Sequence, residues 1–150
     1  MNIAITANCD KHEVRDLLPR VFEWLRARQV SFFVEDEVVE QLNLADSGIR
    51  RVQPADFRKN VDMVLSFGGD GTILSTARKV GDAGIPILGV KIGGMGFLAE
   101  LAPDELYTSL PEILKGNFQV VERMVLTASI DGQPEEHFFA LNDFVVDKAI

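Results

Sequence analysis

The stretch DMVLSFGGDGTILSTARKV, Asp62 to Val80, decides the fold of this chain. It overlaps an apolar run, Val61 to Phe67, that ends in closely spaced glycines. After the glycines, apolar residues recur at the spacing of one helix face: Ile73, Leu74, Ala77 and Val80. The stretch therefore predicts a buried strand, a glycine-rich turn at its carboxyl end and a helix.

Similar strand patterns lie on both sides of this unit: NIAITA at residues 2–7, VSFFVE at 30–35 and IPILGV at 85–90. Between the first two, apolar residues from Val14 to Leu25 follow helical spacing, and Asp10 with Glu13 forms a capping-box pattern. Pro19 lies inside this pattern, so we expect it to kink or split the helix. Strands that alternate with helices predict an α/β fold, a Rossmann-like parallel sheet with helices on both faces.

A further helical segment follows residue 101. Pro103 predicts its start. Pro111 is expected to interrupt it, and Ser109 with Glu112 forms a second capping box at the interruption.

The pattern changes at Phe118, after which apolar and polar residues alternate up to a tight turn at Asp131-Gly132. A second run, HFFALNDFVVDKAI, follows at residues 137–150. The alternation is typical of antiparallel strands, and a lone hairpin is marginal in water. We therefore predict an α/β nucleotide-binding domain over residues 1–116 and, over 117–150, the opening strands of a truncated all-β domain.

The composition excludes several function classes. Lys and Arg number 15 against 23 for Asp and Glu, so the net charge of −8 disfavours nucleic acid as a partner. No apolar run reaches the roughly 18 to 20 residues that cross a bilayer, and the N-terminus lacks a charged leader, so we expect a cytoplasmic protein without a membrane partner. Cys9 is the only cysteine, and neither His12 nor His137 has a partner at metal-ligand spacing, so we predict no cysteine-based zinc site and assign no cysteine or histidine as a metal ligand.

The glycine turn is suited to phosphate. Gly68, Gly69 and Gly71 permit positive φ and close backbone approach, and Thr72 adds a hydroxyl donor. A helix that opens on such a turn directs backbone N–H groups and its positive end at one point. The turn is neither a Walker A loop nor a dinucleotide fingerprint.

Asp70 places a negative charge in the middle of this turn. Its structural interpretation is a helix N-cap that accepts a hydrogen bond from the N–H of Ile73. Its functional interpretations are a base that takes the proton from an attacking hydroxyl, or a ligand of a magnesium ion that neutralises the phosphates. A cap does not require glycine on both sides, which favours phosphate chemistry.

Three stretches together resemble the NAD kinase family. GGDGT, Gly68 to Thr72, is similar to the signature shared by NAD kinases, diacylglycerol kinases and 6-phosphofructokinases. GVKIGGMGFLAEL, Gly89 to Leu101, and LNDFVV, Leu141 to Val146, favour the NAD kinases among these. Because the three stretches occur in the family's order and span most of the chain, the sequence resembles the N-terminal portion of an NAD kinase.

The resemblance implies roles for single residues. Asp70 would be the base that deprotonates the adenosine ribose 2′-hydroxyl of NAD. The other implied contacts are Gly71 against the dinucleotide, Gly68, Gly69 and Thr72 with phosphates, Asn142 and Asp143 with the adenosine part of NAD, and Phe97 stacked on a base. Without the resemblance, Asn142-Asp143 would be interpreted as a turn or bulge. Lys91 departs from the family pattern, in which many members carry Asn.

The resemblance also implies an activity: transfer of a phosphoryl group from ATP or polyphosphate to NAD, assisted by magnesium, to give NADP. The full-length protein would be a homo-oligomer with small-molecule partners. Members of the family carry a C-terminal β-rich domain with a Gly-Ser-Thr-Ala-Tyr type motif that is absent here, so we expect little or no turnover from these 150 residues alone. The alternatives are a diacylglycerol-type lipid kinase, which the net charge disfavours, and a nucleotide-binding module without catalysis.

Overall fold

The computed structural model describes residues 1–44, 48–94 and 96–147 and divides into two compact units, residues 1–119 and 120–150. In chain order the first unit contains β1 (Asn2–Ala7), α1 (His12–Ala27), β2 (Ser31–Glu35), α2 (Asp36–Gln41), β3 (Arg51–Val52), a 3-10 turn (Pro54–Asp56), α3 (Phe57–Asn60), β4 (Met63–Gly68), α4 (Asp70–Val80), β5 (Ile87–Lys91) and α5 (Leu106–Leu114). The second contains β6 (Leu126–Ile130) and β7 (Gln133–Ala140). No helix in the described ranges is long and apolar enough to span a membrane.

The strands of the first unit form one parallel sheet in the order β3-β2-β1-β4-β5. In the register of β1, Ile3 lies opposite Phe32 of β2 on one side and Met63 of β4 on the other. The strand predicted before the glycine turn is β4, and all six of its residues are buried. The predicted Rossmann-like α/β fold is confirmed.

Apolar residues collect in two clusters, one on each face of the sheet. On one face, Ile3 and Ile5 belong to the cluster that includes the buried residues of α1 and α5. On the other face, Ala4 clusters with Phe57 of α3 and Val80 of α4. Because successive residues of a strand point to opposite faces, helices on both faces account for the nearly continuous apolar runs of the strands.

Two helices continue through prolines that the sequence pattern marks as interruptions: α1 through Pro19 and α5 through Pro111. An internal proline costs about 3 kcal/mol. Each fully buried aliphatic or aromatic side chain contributes about 1.5–3 kcal/mol, and both helices carry several of them. In α1 they are Val14, Leu18, Val21, Phe22 and Leu25; in α5 they are Leu106, Leu110 and Ile113. Burial on both sides of each proline outweighs its cost, so the predictions of a split α1 and an interrupted α5 are wrong.

The predicted capping box of α1 does not form. The N-cap is Lys11, which makes no capping bond through its side chain. The backbone N–H of Asp10 instead donates to Oδ1 of Asn8 at 3.0 Å, which shapes the turn between β1 and α1.

The start of α5 also differs from the prediction. The helix begins at Leu106, with Glu105 as its N-cap, and not at Pro103. Ser109 and Glu112 lie inside α5 and mark no new helix start. The buried residues of α5, and not the short polar pattern, decide where it lies.

The second unit is an antiparallel hairpin. Thr127 of β6 lies opposite Phe139 of β7, and the turn contains Gly132 at φ 86°. The strand begins at Leu126, so the alternating residues before it are not strand, and residues 141–147 after β7 form neither helix nor strand. The last residues of the predicted second run, 148–150, lie outside the described residues.

One edge of the sheet is the short strand β3. Only two of its residues pair with β2, Arg51 opposite Val34 and Val52 opposite Glu35. Arg51 also forms ion pairs with Asp36 at 2.8 Å and with Glu40 at 3.1 Å. These contacts attach β3 to α2.

Candidate functional site

The connections of the sheet diverge between β1 and β4. The chain leaves β1 toward β2 on one side and leaves β4 toward β5 on the other. In open α/β sheets, ligands bind outside the carboxyl ends of strands at such a switch point. The two strand ends are joined here by a hydrogen bond, because the N–H of Asn8 donates to the carbonyl of Phe67 at 3.0 Å. The glycine turn therefore lies at the expected place for a ligand.

The glycines of the turn are not required by unusual backbone angles. None of Gly68, Gly69 and Gly71 has a positive φ. A Cβ on Gly68 would collide with the side chain of Thr72, whereas a Cβ on Gly71 would meet nothing within 4 Å. Close approach thus explains Gly68, and the open space at Gly71 leaves room for a ligand.

The carboxylate of Asp70 is not a helix cap. The N-cap of α4 is Gly69, whose carbonyl accepts the N–H of Ile73 at 3.2 Å. Asp70 is the first residue of α4, and its two oxygens accept backbone N–H groups from across the crevice, Phe97 at 2.9 Å and Leu98 at 3.0 Å. The structural interpretation of Asp70 as a cap on Ile73 is therefore wrong.

These two hydrogen bonds stabilise the ionised form of Asp70. The N–H of Phe97, then that of Leu98, holds the pKa of the carboxyl below its ordinary value, and the charge of Lys91 adds a smaller effect. Asp70 is ionised at neutral pH, as an aspartate without these bonds would also be. Because an ionised carboxylate has about four acceptor positions, two remain for a ligand.

The loop around Phe97 is shaped to fit this carboxylate. A Cβ on Gly96 would lie 2.6 Å from Oδ1 of Asp70. The side chain of Phe97 is 87% exposed. Gly96 thus permits close contact with Asp70, while the ring of Phe97 stands free beside the carboxylate.

A buried set of hydroxyls fixes the first turns of α4. The hydroxyl of Thr76 lies 2.9 Å from those of Thr6 in β1 and Ser66 in β4, and it donates to the carbonyl of Thr72 at 2.9 Å. Thr6, Ser66 and Thr76 are at most 2% exposed. Polar residues within apolar strands are the sequence signal that could have identified this network, which our sequence analysis missed.

A polar cavity of about 260 Å³ adjoins the turn. The end of β1 contributes Thr6 and Asn8, the first turn of α4 contributes Gly71 and Thr72, and α2 contributes Glu37. The cavity therefore reaches two of the predicted site residues from the side of β1.

A match to a family model shows which family this chain belongs to. The ATP-NAD kinase N-terminal domain matches residues 3–118. The chain belongs to the NAD kinase family.

Two bacterial NAD kinases are similar to this protein over nearly the whole chain. The NAD kinase of Geobacter sulfurreducens is 40% identical over 148 residues, and that of Geobacter sp. strain M21 is 39% identical over 151 residues. Each alignment covers 97% of this chain and 51% of the relative. The chain thus spans about half the length of these relatives.

Solved NAD kinase structures share the fold. Yeast NADH kinase complexed with NADH matches with a TM-score of 0.79 at 21% identity, covering 95% of this chain and 47% of that one. An NAD kinase from Archaeoglobus fulgidus in complex with ATP matches with a TM-score of 0.58 at 22% identity, covering 89% of this chain and 45% of that one.

The residues of the site that the NAD kinase resemblance implies are distributed over both units. Gly68 to Thr72 and Phe97 meet at the switch point of the first unit. Asn142 and Asp143 belong to the second unit, where both are exposed in the segment after β7. Their role in binding NAD stays a prediction.

Proposed function

We propose that the full-length protein containing this chain transfers a phosphoryl group to the adenosine ribose 2′-hydroxyl of NAD and so forms NADP. The observation that carries this proposal is the carboxylate of Asp70, ionised and held at the switch point by the N–H groups of Phe97 and Leu98. Family membership and the NADH and ATP named for the two similar structures support it.

Asp70 would act on the attacking hydroxyl. Its remaining acceptor positions would orient the ribose O–H and then take its proton. A carboxylate with a lowered pKa is a weak base, so this proton would transfer late, after the bond to the leaving phosphate has loosened. Asp70 would therefore act as much by positioning as by basicity.

The glycine turn would hold the phosphates. The amides of Gly69, Asp70 and Gly71 lie at the start of α4, where backbone N–H groups have few partners within the helix. We assign phosphate contacts to Gly68, Gly69 and Thr72 and a dinucleotide contact to Gly71, next to which a Cβ would find open space. Asn142 and Asp143 would contact the adenosine part of NAD.

Magnesium would enter with the nucleotide. Among the described residues, no group of three or more His, Cys, Asp or Glu side chains is placed to hold a metal ion. Magnesium is commonly bound through substrate phosphates with few protein ligands. No step of the mechanism proposed here depends on a protein-bound ion.

We further propose ATP or polyphosphate as the donor, a homo-oligomeric full-length protein and a cytoplasmic location. Since the chain spans about half of its relatives, residues 1–150 alone would show little or no turnover.

The test is formation of NADP by the full-length protein with NAD and either ATP or polyphosphate, repeated with Asp70→Asn. We expect the substitution to lower kcat by about 10²–10⁴, the usual contribution of a positioned acid or base. A decrease of less than tenfold would refute the role of Asp70. Binding of NAD without any NADP formed by the unsubstituted protein would instead support a non-catalytic module.

Asp70→Asn also removes a carboxylate oxygen from the loop, so a control is needed. Gly96→Ala disturbs the same loop contact while keeping the carboxylate. If Asp70 acts on the hydroxyl, Asp70→Asn lowers kcat much more than Gly96→Ala does. Equal losses would show that Asp70 only holds the loop.

A further inference from the structure

Lys11 occupies a position that is unfavourable for a lysine. It is the N-cap of α1, where Ser, Thr, Asp and Asn are preferred, and its side chain makes no capping bond. It also brings a positive charge to the positive end of a helix. Local preference therefore does not explain why a lysine is found here.

The ammonium of Lys11 lies between two glycine-containing loops. Nζ donates to the carbonyl of Ile92 at 2.6 Å. A Cβ built on Gly93 would be 3.0 Å from Nζ, and one built on Gly69 would be 3.7 Å away. The charge thus lies directly beside the GGDGT turn.

The loop that carries Lys11 is fixed on both sides. The N–H of Asn8 is bonded to Phe67, the side chain of Asn8 accepts the N–H of Asp10, and Nε of Arg15 donates to the carbonyl of Cys9. The ammonium is therefore held in place before any ligand binds, which reduces the entropy that binding would cost.

A lysine within α4 provides a comparison. Lys79 pairs with Glu35 at 2.6 Å and with Glu37 at 3.2 Å. Lys11 forms no ion pair with any carboxylate in the described parts of the chain. The charge of Lys79 is balanced by protein groups, whereas that of Lys11 faces the turn with one of its three N–H donors used by Ile92.

We propose that Lys11 binds a phosphate oxygen of the nucleotide held at the GGDGT turn. The inference rests on the proposed function. A lysine ammonium is a compact point charge that suits phosphate, and its two remaining donors are directed by the bond to Ile92. Either the phosphoryl donor or the pyrophosphate of NAD would supply the oxygen, and kinetics separates the two sources.

The test compares Lys11→Gln, Lys11→Met and the control Lys59→Gln in the full-length protein. Gln keeps an N–H donor for the carbonyl of Ile92 but removes the charge, whereas Met removes both. Lys59 is an exposed lysine of α3, so its substitution makes the same change in net charge away from the turn. The readouts are KM for ATP and for NAD, kcat, and the inhibition constant of tripolyphosphate, an anion without base or ribose.

If Lys11 binds phosphate, Lys11→Gln and Lys11→Met both raise the inhibition constant of tripolyphosphate by roughly tenfold or more, the usual loss of a charge-assisted hydrogen bond. A rise in KM for ATP alone assigns the oxygen to the donor, and a rise in KM for NAD alone assigns it to the dinucleotide. Lys59→Gln stays within twofold of the unsubstituted protein.

The proposal is overturned if Lys11→Gln matches Lys59→Gln in all these constants, because the hydrogen bond to Ile92 would then be the only role of Lys11. Should Lys11→Met fail to fold, Lys11→Gln decides alone. If the unsubstituted protein forms no NADP, the proposed function fails, and stabilisation against heat by tripolyphosphate, lost in Lys11→Gln and kept in Lys59→Gln, still tests Lys11.

Discussion

Strand β4 of the first unit and the hairpin strands of the second all carry large apolar residues, yet their surroundings differ. Every residue of β4 is buried, whereas Leu126, Ile130 and Phe139 of the hairpin are 39%, 50% and 56% exposed. β4 has a strand on each side and apolar clusters on both faces, while β6 and β7 pair only with each other among the described residues of their unit. The stability of an apolar strand thus depends on how many layers cover it.

The largest expected difference in stability is between substitutions of Leu65 and of Leu126. Leu65 is fully buried in the middle of β4, so Leu65→Ala should lower the free energy of unfolding by about 2–5 kcal/mol. Leu126→Ala in β6 removes the same atoms from a partly exposed site and should cost less than about 1 kcal/mol. Urea denaturation of both variants measures the difference, and equal losses would contradict the contrast between the two units.

A smaller effect is expected for the hydroxyls beneath α4. Thr76→Val keeps the shape of the side chain but leaves the buried hydroxyls of Thr6 and Ser66 without their shared partner, so it should destabilise by about 1–3 kcal/mol. Thr127→Val makes the same change on the exposed hairpin and should lie within about 0.5 kcal/mol of the original protein. Thermal unfolding of the two variants would test this. An equal response would show that the network adds no stability.

The smallest expected effect concerns the carboxyl of Asp70. Gly96→Ala would push the loop and the carboxylate apart and weaken the two N–H bonds, so the pKa of Asp70 should rise toward its ordinary value. A carboxyl whose pKa is lowered in the folded state stabilises the protein above the pKa it has when unfolded, and this stability is lost as pH falls through the folded-state pKa. Gly96→Ala should therefore reduce the extra stability that the ionised Asp70 gives above the ordinary pKa of an aspartate.

Titration of the Asp70 carboxyl carbon by NMR checks this shift. Gly71→Ala is the control, because a Cβ there meets nothing within 4 Å. An unchanged pKa in Gly96→Ala would contradict the proposed control of Asp70 by the loop.

The fold was predictable because its signals are local and repeated. In the first unit, the four apolar runs bounded by turn residues became β1, β2, β4 and β5, and helical spacing located α1 and α4, whereas only part of each predicted run in the second unit became strand. The errors came from Pro19, Pro111 and the capping patterns, where burial of several side chains outweighs a local preference.

The site was only partly predictable. The GGDGT turn follows from its strand and helix, so its position at the carboxyl end of the sheet could be derived. The partners of Asp70 could not, since Phe97 and Leu98 lie 27 and 28 residues away and only the folded sheet brings them near. Lys11 has no sequence signal at all, because its contact with Ile92 spans 81 residues.

The short length of β3 limits strand pairing between copies of the protein in solution. An edge strand with many unpaired amides and carbonyls can pair with a strand of another molecule, which is the first step toward aggregation. β3 presents only two residues there, and one of them is the charged Arg51, tethered to Asp36 and Glu40. This edge strand is too short and too charged to act as a template for intermolecular strand pairing.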